Sequence, residues 1–315
     1  MTRQREPRLA TRPAKYFCRA WVILLLACAS VGAAALQCTP LQPRATPLTD
    51  TAYTQGLLWQ IRGPADQRSF LFGTIHLSAA MTGQPNATVT KALLASHQFG
   101  MEVLLDADAM LQIGARMRLS NASTLRKQVD AELYARTVEL LAAYGVSSDD
   151  ADRLKPWAAY TTLSLPPGQN GMPLDLVLLA TARKTTRHQF GLETLAEQTA
   201  VFESLSHADQ TALLTESVCH YKVLQRDTQG LVDYYAKGDL AGLYRAANKY
   251  TSAINERLLK ALVVDRNQRM IERMLPYLAQ GDAFIAIGAL HLPGAKGLLA
   301  QLAARGYRVS PVAGK

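Results

Sequence analysis

Apolar positions along the chain follow two periods. Short unbroken runs at 57–62, 69–72, 98–105 and 283–287 are rich in aromatic and β-branched residues and are bounded by glycine or turn residues, which predicts buried strands. Gly63-Pro64 makes the first two a hairpin. Further short strands are predicted at 188–193 and 307–312. Helical spacing is read at 86–96, 125–144, from Leu154-Lys155-Pro156-Trp157 to the break at Pro166-Pro167-Gly168, and at 174–184. Another helix starts at Ser206, and others are expected at 240–249, 255–278 and 294–305. Strands and helices alternate at both ends around a helical stretch. The expected fold is therefore α/β: a mixed central sheet with flanking helices, interrupted by a helical insertion at about 122–242.

Two strands end in nearly the same words, Phe72-Gly73-Thr74-Ile75-His76-Leu77 and Ile287-Gly288-Ala289-Leu290-His291-Leu292. In each, glycine permits a close backbone approach and the histidine is carried beyond the strand's C-terminal end, where open α/β sheets bind ligands. A lone histidine more often satisfies a local backbone group, but two in matching settings favour a shared site. His97, His188, His207 and His220 have no partner at ligand spacing.

Glu102 sits in an apolar run, where an unpaired carboxylate is expensive, and Glu193 closes the segment 188–193. Two imidazoles with one or two carboxylates suit a divalent transition ion such as manganese, cobalt or zinc, with Glu193 as a fourth ligand or general base. Such an ion would serve hydrolysis. The same residues suit metal-free chemistry, with histidine as base and glutamate as its orienting partner. Arg266 is a candidate oxyanion or substrate-carboxylate clamp and Asn267 a hydrogen-bonding orienter; a solvated helix face is the bland alternative.

The 315 residues are 49% hydrophobic and 19% charged, an ordinary globular balance. Arg3, Arg5, Arg8, Arg12, Lys15 and Arg19 precede a short apolar stretch and the small-residue site Ala33-Ala34-Ala35, so 1–35 reads as a secretory signal peptide. The expected destination is the bacterial periplasm; anchoring of a lipid on Cys28 is a minor alternative. The segment holds six Lys/Arg and one acid, so about +4 of the overall +9 stays with the mature chain, spread out, which argues against a nucleic-acid partner. No integral membrane span is expected in the mature chain. Residues 36–55 read as a Pro-rich linker and 56–312 as one domain. A disulfide between Cys38 and Cys219 is open to a chain in an oxidising compartment, but one lies in the Pro-rich linker and the other in a helical pattern, settings that speak against the pairing.

The run Gly56-Leu57-Leu58-Trp59-Gln60-Ile61, the first Gly-x-x-His, Met101-Glu102-Val103, Leu154-Lys155-Pro156-Trp157, Gly191-Leu192-Glu193-Thr194 with Gln198, Asp265-Arg266-Asn267, and Gly288-Ala289-Leu290-His291-Leu292-Pro293-Gly294 together resemble the TraB/GumN family in order and spacing. That family is similar to Tiki-type metalloproteases and more distantly to erythromycin-esterase-like hydrolases. The resemblance implies a metal-dependent catalytic centre at His76, Glu102 and His291, with Glu193, Arg266 and Asn267 as matching positions of less defined role. The expectation is an exported metal-dependent hydrolase, foremost a peptidase, acting on a peptide or small-molecule substrate. A metal-independent esterase or amidase on the same scaffold and a noncatalytic periplasmic binding protein are the alternatives.

Overall fold

The structure, a computed structural model, describes residues 36–45, 52–120, 122–169, 171–185 and 188–313. The segment expected to be a signal peptide, 1–35, lies outside them. Six strands form one mixed sheet: β1 (Leu58–Arg62), β2 (Arg68–Thr74), β3 (Gln98–Met101), β4 (His188–Gly191), β5 (Ala283–Gly288) and β6 (Arg308–Pro311), in the order β4-β3-β5-β2-β1-β6. β1 and β2 are the expected hairpin, closed by the Gly63 N–H donating to Gln67 O at 2.9 Å. β6 adds antiparallel to β1, while β2, β5, β3 and β4 run parallel to one another.

β5 lies at the centre and is buried from Ala283 to Ile287, as a strand covered on both faces must be. Phe284 packs between Phe72 and Phe99, with ring centroids 6.0 and 6.3 Å away. Helices Ala87–Leu94, Leu174–Thr185, Arg266–Gln280 and Leu298–Ala304 contribute Leu93, Leu178, Met270, Met274 and Leu299 to the same core. A second core, built from Leu125, Leu133, Leu141, Leu163 and Leu214, holds the helical part together. The span 122–242 is not wholly helical, because it donates β4 to the sheet edge beside β3.

Several boundaries differ from the sequence reading for local reasons. The run 98–105 stops being a strand at Met101, so Glu102 lies in the bend beyond it. The stretch 125–144 breaks where Asp130 accepts from Leu133 N and starts helix Ala131–Leu141 afresh. The stretch 255–278 is three pieces: Ala253–Leu259, a π-helical segment Lys260–Asp265, and Arg266–Gln280. Helix Ala107–Met117 was not anticipated.

Cys38 and Cys219 form a disulfide, contrary to the sequence expectation. The Pro-rich segment runs along residues 249–251, with Arg44 N donating to Lys249 O at 2.9 Å and Thr251 N to Gln42 O at 2.8 Å, and this docking brings the two cysteines together. Among the described residues no helix is long and apolar enough to cross a membrane.

Candidate active site

The four parallel strands end on one edge of the sheet, and each releases a polar residue there. In sheet order these are Glu193, two residues past β4; Glu102, one past β3; His291, three past β5; and His76, two past β2. The ladder continues for a step beyond β3 and β4, with Leu192 N donating to Met101 O and Glu193 N to Glu102 O. That pairing fixes both carboxylates relative to the sheet.

The two Gly-x-x-His motifs are not in equivalent registers. Gly73 pairs with Ile287 and Thr74 with Gly288, so the second glycine stands one residue further along. The chain then runs irregularly to His76 but enters a tight 3-10 turn at Ala289–His291. Gly73 is needed because that turn packs over it: a methyl group there would come 2.9 Å from Leu292 Cδ1 and 3.2 Å from the Ala289 backbone. A methyl group on Gly288 would stand 3.1 Å from Glu102 Oε1, 3.6 Å from His291 Cδ2 and 3.9 Å from His76 Nε2. The open space at Gly288 is therefore where His76, Glu102 and His291 converge.

Each imidazole is oriented through its Nδ1. Asn267 Nδ2 donates to the carbonyls of His291 and Lys296 at 3.2 and 2.9 Å, so its Oδ1 faces His291 Nδ1, 2.7 Å away, and accepts its proton. Burial, working against the attraction of Glu102 and alongside the repulsion of Arg266, lowers the His291 pKa to about 4. The ring is neutral, with its lone pair on Nε2, 3.8 Å from Glu102 Oε1. His76 Nδ1 lies 3.0 Å from Asp175 Oδ2, and Thr74 Oγ1 donates to the other Asp175 oxygen at 2.6 Å. The Asp175 charge, with its hydrogen bond and a smaller contribution from Glu102, raises His76 to about 9. The His76 side chain is 62% exposed, so the cleft opens to solvent on this side.

Glu102 accepts from the Gly288 N–H at 2.7 Å through Oε1, and from Arg266 Nη2 at 2.6 Å and Gln198 Nε2 at 3.1 Å through Oε2. Burial alone would push its carboxyl up. His291, Arg266, His76 and the Gly288 amide outweigh it and hold the group well below the usual carboxylate range. Arg266 begins its helix directly after the π-helical segment, an irregularity that often marks functional sites. Its Nε donates to Glu193 Oε2 at 2.8 Å, and Arg269 Nη1 takes Glu193 Oε1 at 2.9 Å. The structure thus brings Glu193 to Arg266 and Arg269 rather than to the imidazoles, with its side chain fully enclosed.

A cavity of about 250 Å³ has His76, Glu102, Asp175 and Gln198 as its polar lining. Asp175 is the residue that sequence reasoning missed. Its signal was the one that singled out Glu102, an acid inside an apolar run, here Leu174-Asp175-Leu176-Val177-Leu178. Trp157, by contrast, stacks on Phe202 with centroids 5.3 Å apart, and Lys155 pairs with Glu203 at 3.3 Å, so this segment braces the helical part.

Among the described residues no three His, Cys, Asp or Glu side chains already stand in coordination geometry. The donor chemistry at Gly288 fits a divalent transition ion: His76 Nε2, the edge of the His291 ring and Glu102 Oε1 border a common space, His291 Nε2 lies 3.8 Å from Glu102 Oε1 and 3.5 Å from Arg266 Nη1, and each imidazole is anchored through its Nδ1 as metal-binding histidines are.

A family model, described as the TraB/PrgY/gumN family, matches residues 57–311. No curated protein and no solved structure matches the chain.

Proposed function

The chain belongs to the TraB/PrgY/gumN family, and on that footing we propose that it is an exported metal-dependent hydrolase with peptides as its substrate class. The observation that carries this reading is the convergence of His76 Nε2, the His291 ring and Glu102 Oε1 on the space beside Gly288. His76, His291 and Glu102 would hold the ion. A bound ion supplies Lewis-acid polarisation of a carbonyl and hydrolytic water at neutral pH. Asp175 and Asn267 hold the two rings with Nε2 inward. Arg266 and Gln198 keep the Glu102 carboxylate ionised and fixed in a buried setting. In peptide hydrolysis the amide C–N bond breaks, the water hydroxyl passes to the acyl carbon, and a proton passes to the departing amine. Export is supported by the Cys38–Cys219 disulfide, a bond that persists in oxidising compartments.

For a metal-free esterase or amidase, expected with His76 as base and Glu102 as its orienting partner, the relevant observation is the His76–Asp175 pair: Asp175, and not Glu102, orients the ring. Raised to about 9, His76 is protonated at neutral pH and suits proton delivery to a leaving group rather than activation of water.

The experiment is turnover of a mixed peptide and ester library by chelator-stripped protein and by protein reloaded with manganese, cobalt or zinc. Peptide cleavage restored by an ion supports the proposal. Ester turnover undiminished by stripping supports the metal-free reading, and inertness in every state supports a noncatalytic binding role.

A further inference from the structure

The cavity that His76 and Glu102 line also has apolar lining that hydrolysis does not require. Its wall is apolar and is built by Met101, Val103, Leu105, Met110, Ile113 and Leu176. Helix Ala107–Met117 supplies two of these, and it is an unusual helix: only Ala109 is buried, whereas Met110 is 50% exposed. It starts five residues after Glu102, capped by Asp106, whose side chain accepts from Ala109 N. Apolar side chains kept half open on a helix tied so closely to a polar cluster are not explained by core packing.

We infer that this wall is the specificity subsite of the cleft, and that it takes one large apolar side chain of a peptide, next to the bond presented to His76 and Glu102. The inference rests on the proposed hydrolase reading for the chemistry but not for the binding. Three observations choose this occupant. One cavity is lined both by the polar groups His76, Glu102, Asp175 and Gln198 and by a larger set of apolar side chains, the composition of a site that orients a substrate with a few polar groups and anchors it with apolar ones. At about 250 Å³ it suits a side chain and a short length of backbone rather than a whole helix or a second copy of the chain. No Lys or Arg lines it, and Glu102 and Asp175 do, so an acidic side chain would lose its hydration without gaining a cationic partner.

The test uses the full chain and a panel of blocked pentapeptides, glycines around one central residue that is leucine, phenylalanine, serine or aspartate. Turnover with manganese and binding to the metal-free protein are both measured, for wild type, Met110→Asp and Ile113→Asp. Met110 is half exposed, so its replacement tests the wall even where Ile113→Asp fails to fold. Leucine and phenylalanine peptides are expected to exceed serine and aspartate peptides by about tenfold or more, and Met110→Asp to erase most of that margin. Turnover without apolar preference overturns the subsite while leaving the hydrolase reading standing. Apolar-selective binding without turnover, abolished by Met110→Asp, supports the subsite and removes the hydrolase reading. Absence of both binding and turnover with every peptide overturns the subsite.

Discussion

Arg266 donates to Glu102 through Nη2 and to Glu193 through Nε, so one buried guanidinium holds two buried carboxylates that leave adjacent strands. The three side chains are each less than one-tenth exposed. Removing the cation leaves Glu102 with only the neutral donors Gly288 N–H and Gln198 and leaves Glu193 with Arg269 alone, and breaking such a buried pair costs about 3–5 kcal/mol. Arg266→Gln is therefore expected to lower the urea midpoint substantially, and Glu102→Gln, which keeps the shape, to cost less. Equal midpoints for wild type and Arg266→Gln would show that the network does not stabilise the fold.

The two histidines are expected to titrate on opposite sides of neutrality in metal-free protein, His76 near 9 and His291 near 4. The linkage signs differ. The raised His76 pKa contributes stability that is full below about 6.5 and is lost as pH rises through 9. The lowered His291 pKa contributes stability that is present above about 6.5 and is lost as pH falls through 4. Imidazole chemical shifts followed by NMR across this range check both, and Asp175→Asn is expected to bring His76 down toward its ordinary value. Coincident titration of the two rings would contradict the assignment.

Gly288→Ala tests the open space directly. The added methyl group stands 3.1 Å from Glu102 Oε1, tighter than ordinary packing, and takes up room between the three donors. The variant is expected to fold, to lose metal uptake and to lose turnover, as measured by circular dichroism, elemental analysis and peptide cleavage. Retained metal at the wild-type level would place the ion elsewhere.

Much of this arrangement was legible in the sequence because short apolar runs with glycine at their ends mark strand ends. Thus the positions of His76 and His291 beyond β2 and β5 follow from local pattern alone, whereas Glu102 and Glu193, read within the runs 98–105 and 188–193, lie just past strands that stop at Met101 and Gly191. What the pattern does not carry is pairing. The one-residue offset between Gly73 and Gly288 depends on the register of β2 against β5, a contact between distant segments. Asp175 was hidden because a single acid in the first turn of an apolar helix reads as dipole compensation until its partner His76 is placed beside it. Glu193 and Arg266 look like independent candidates in sequence, and only their mutual hydrogen bond shows that each occupies the other. The disulfide escaped for the same reason, its two cysteines being 181 residues apart.

Closing so long a loop stabilises chiefly by restricting the unfolded chain, by about 2–5 kcal/mol. Cys38→Ser is expected to lower the melting temperature, and dithiothreitol to lower that of the wild type toward the variant's while leaving the variant unchanged. An unaltered melting temperature in Cys38→Ser would show that the docked segment contributes nothing to stability.

The central claim is that His76, Glu102 and His291 hold one divalent ion. Its most direct test is elemental analysis of wild type, His76→Ala and His291→Ala after equal exposure to manganese, cobalt or zinc and removal of the excess, with circular dichroism to establish that each is folded. The account predicts about one ion per chain in the wild type and almost none in either variant, because a tight site needs all three donors. Equal metal content in all three proteins would contradict it.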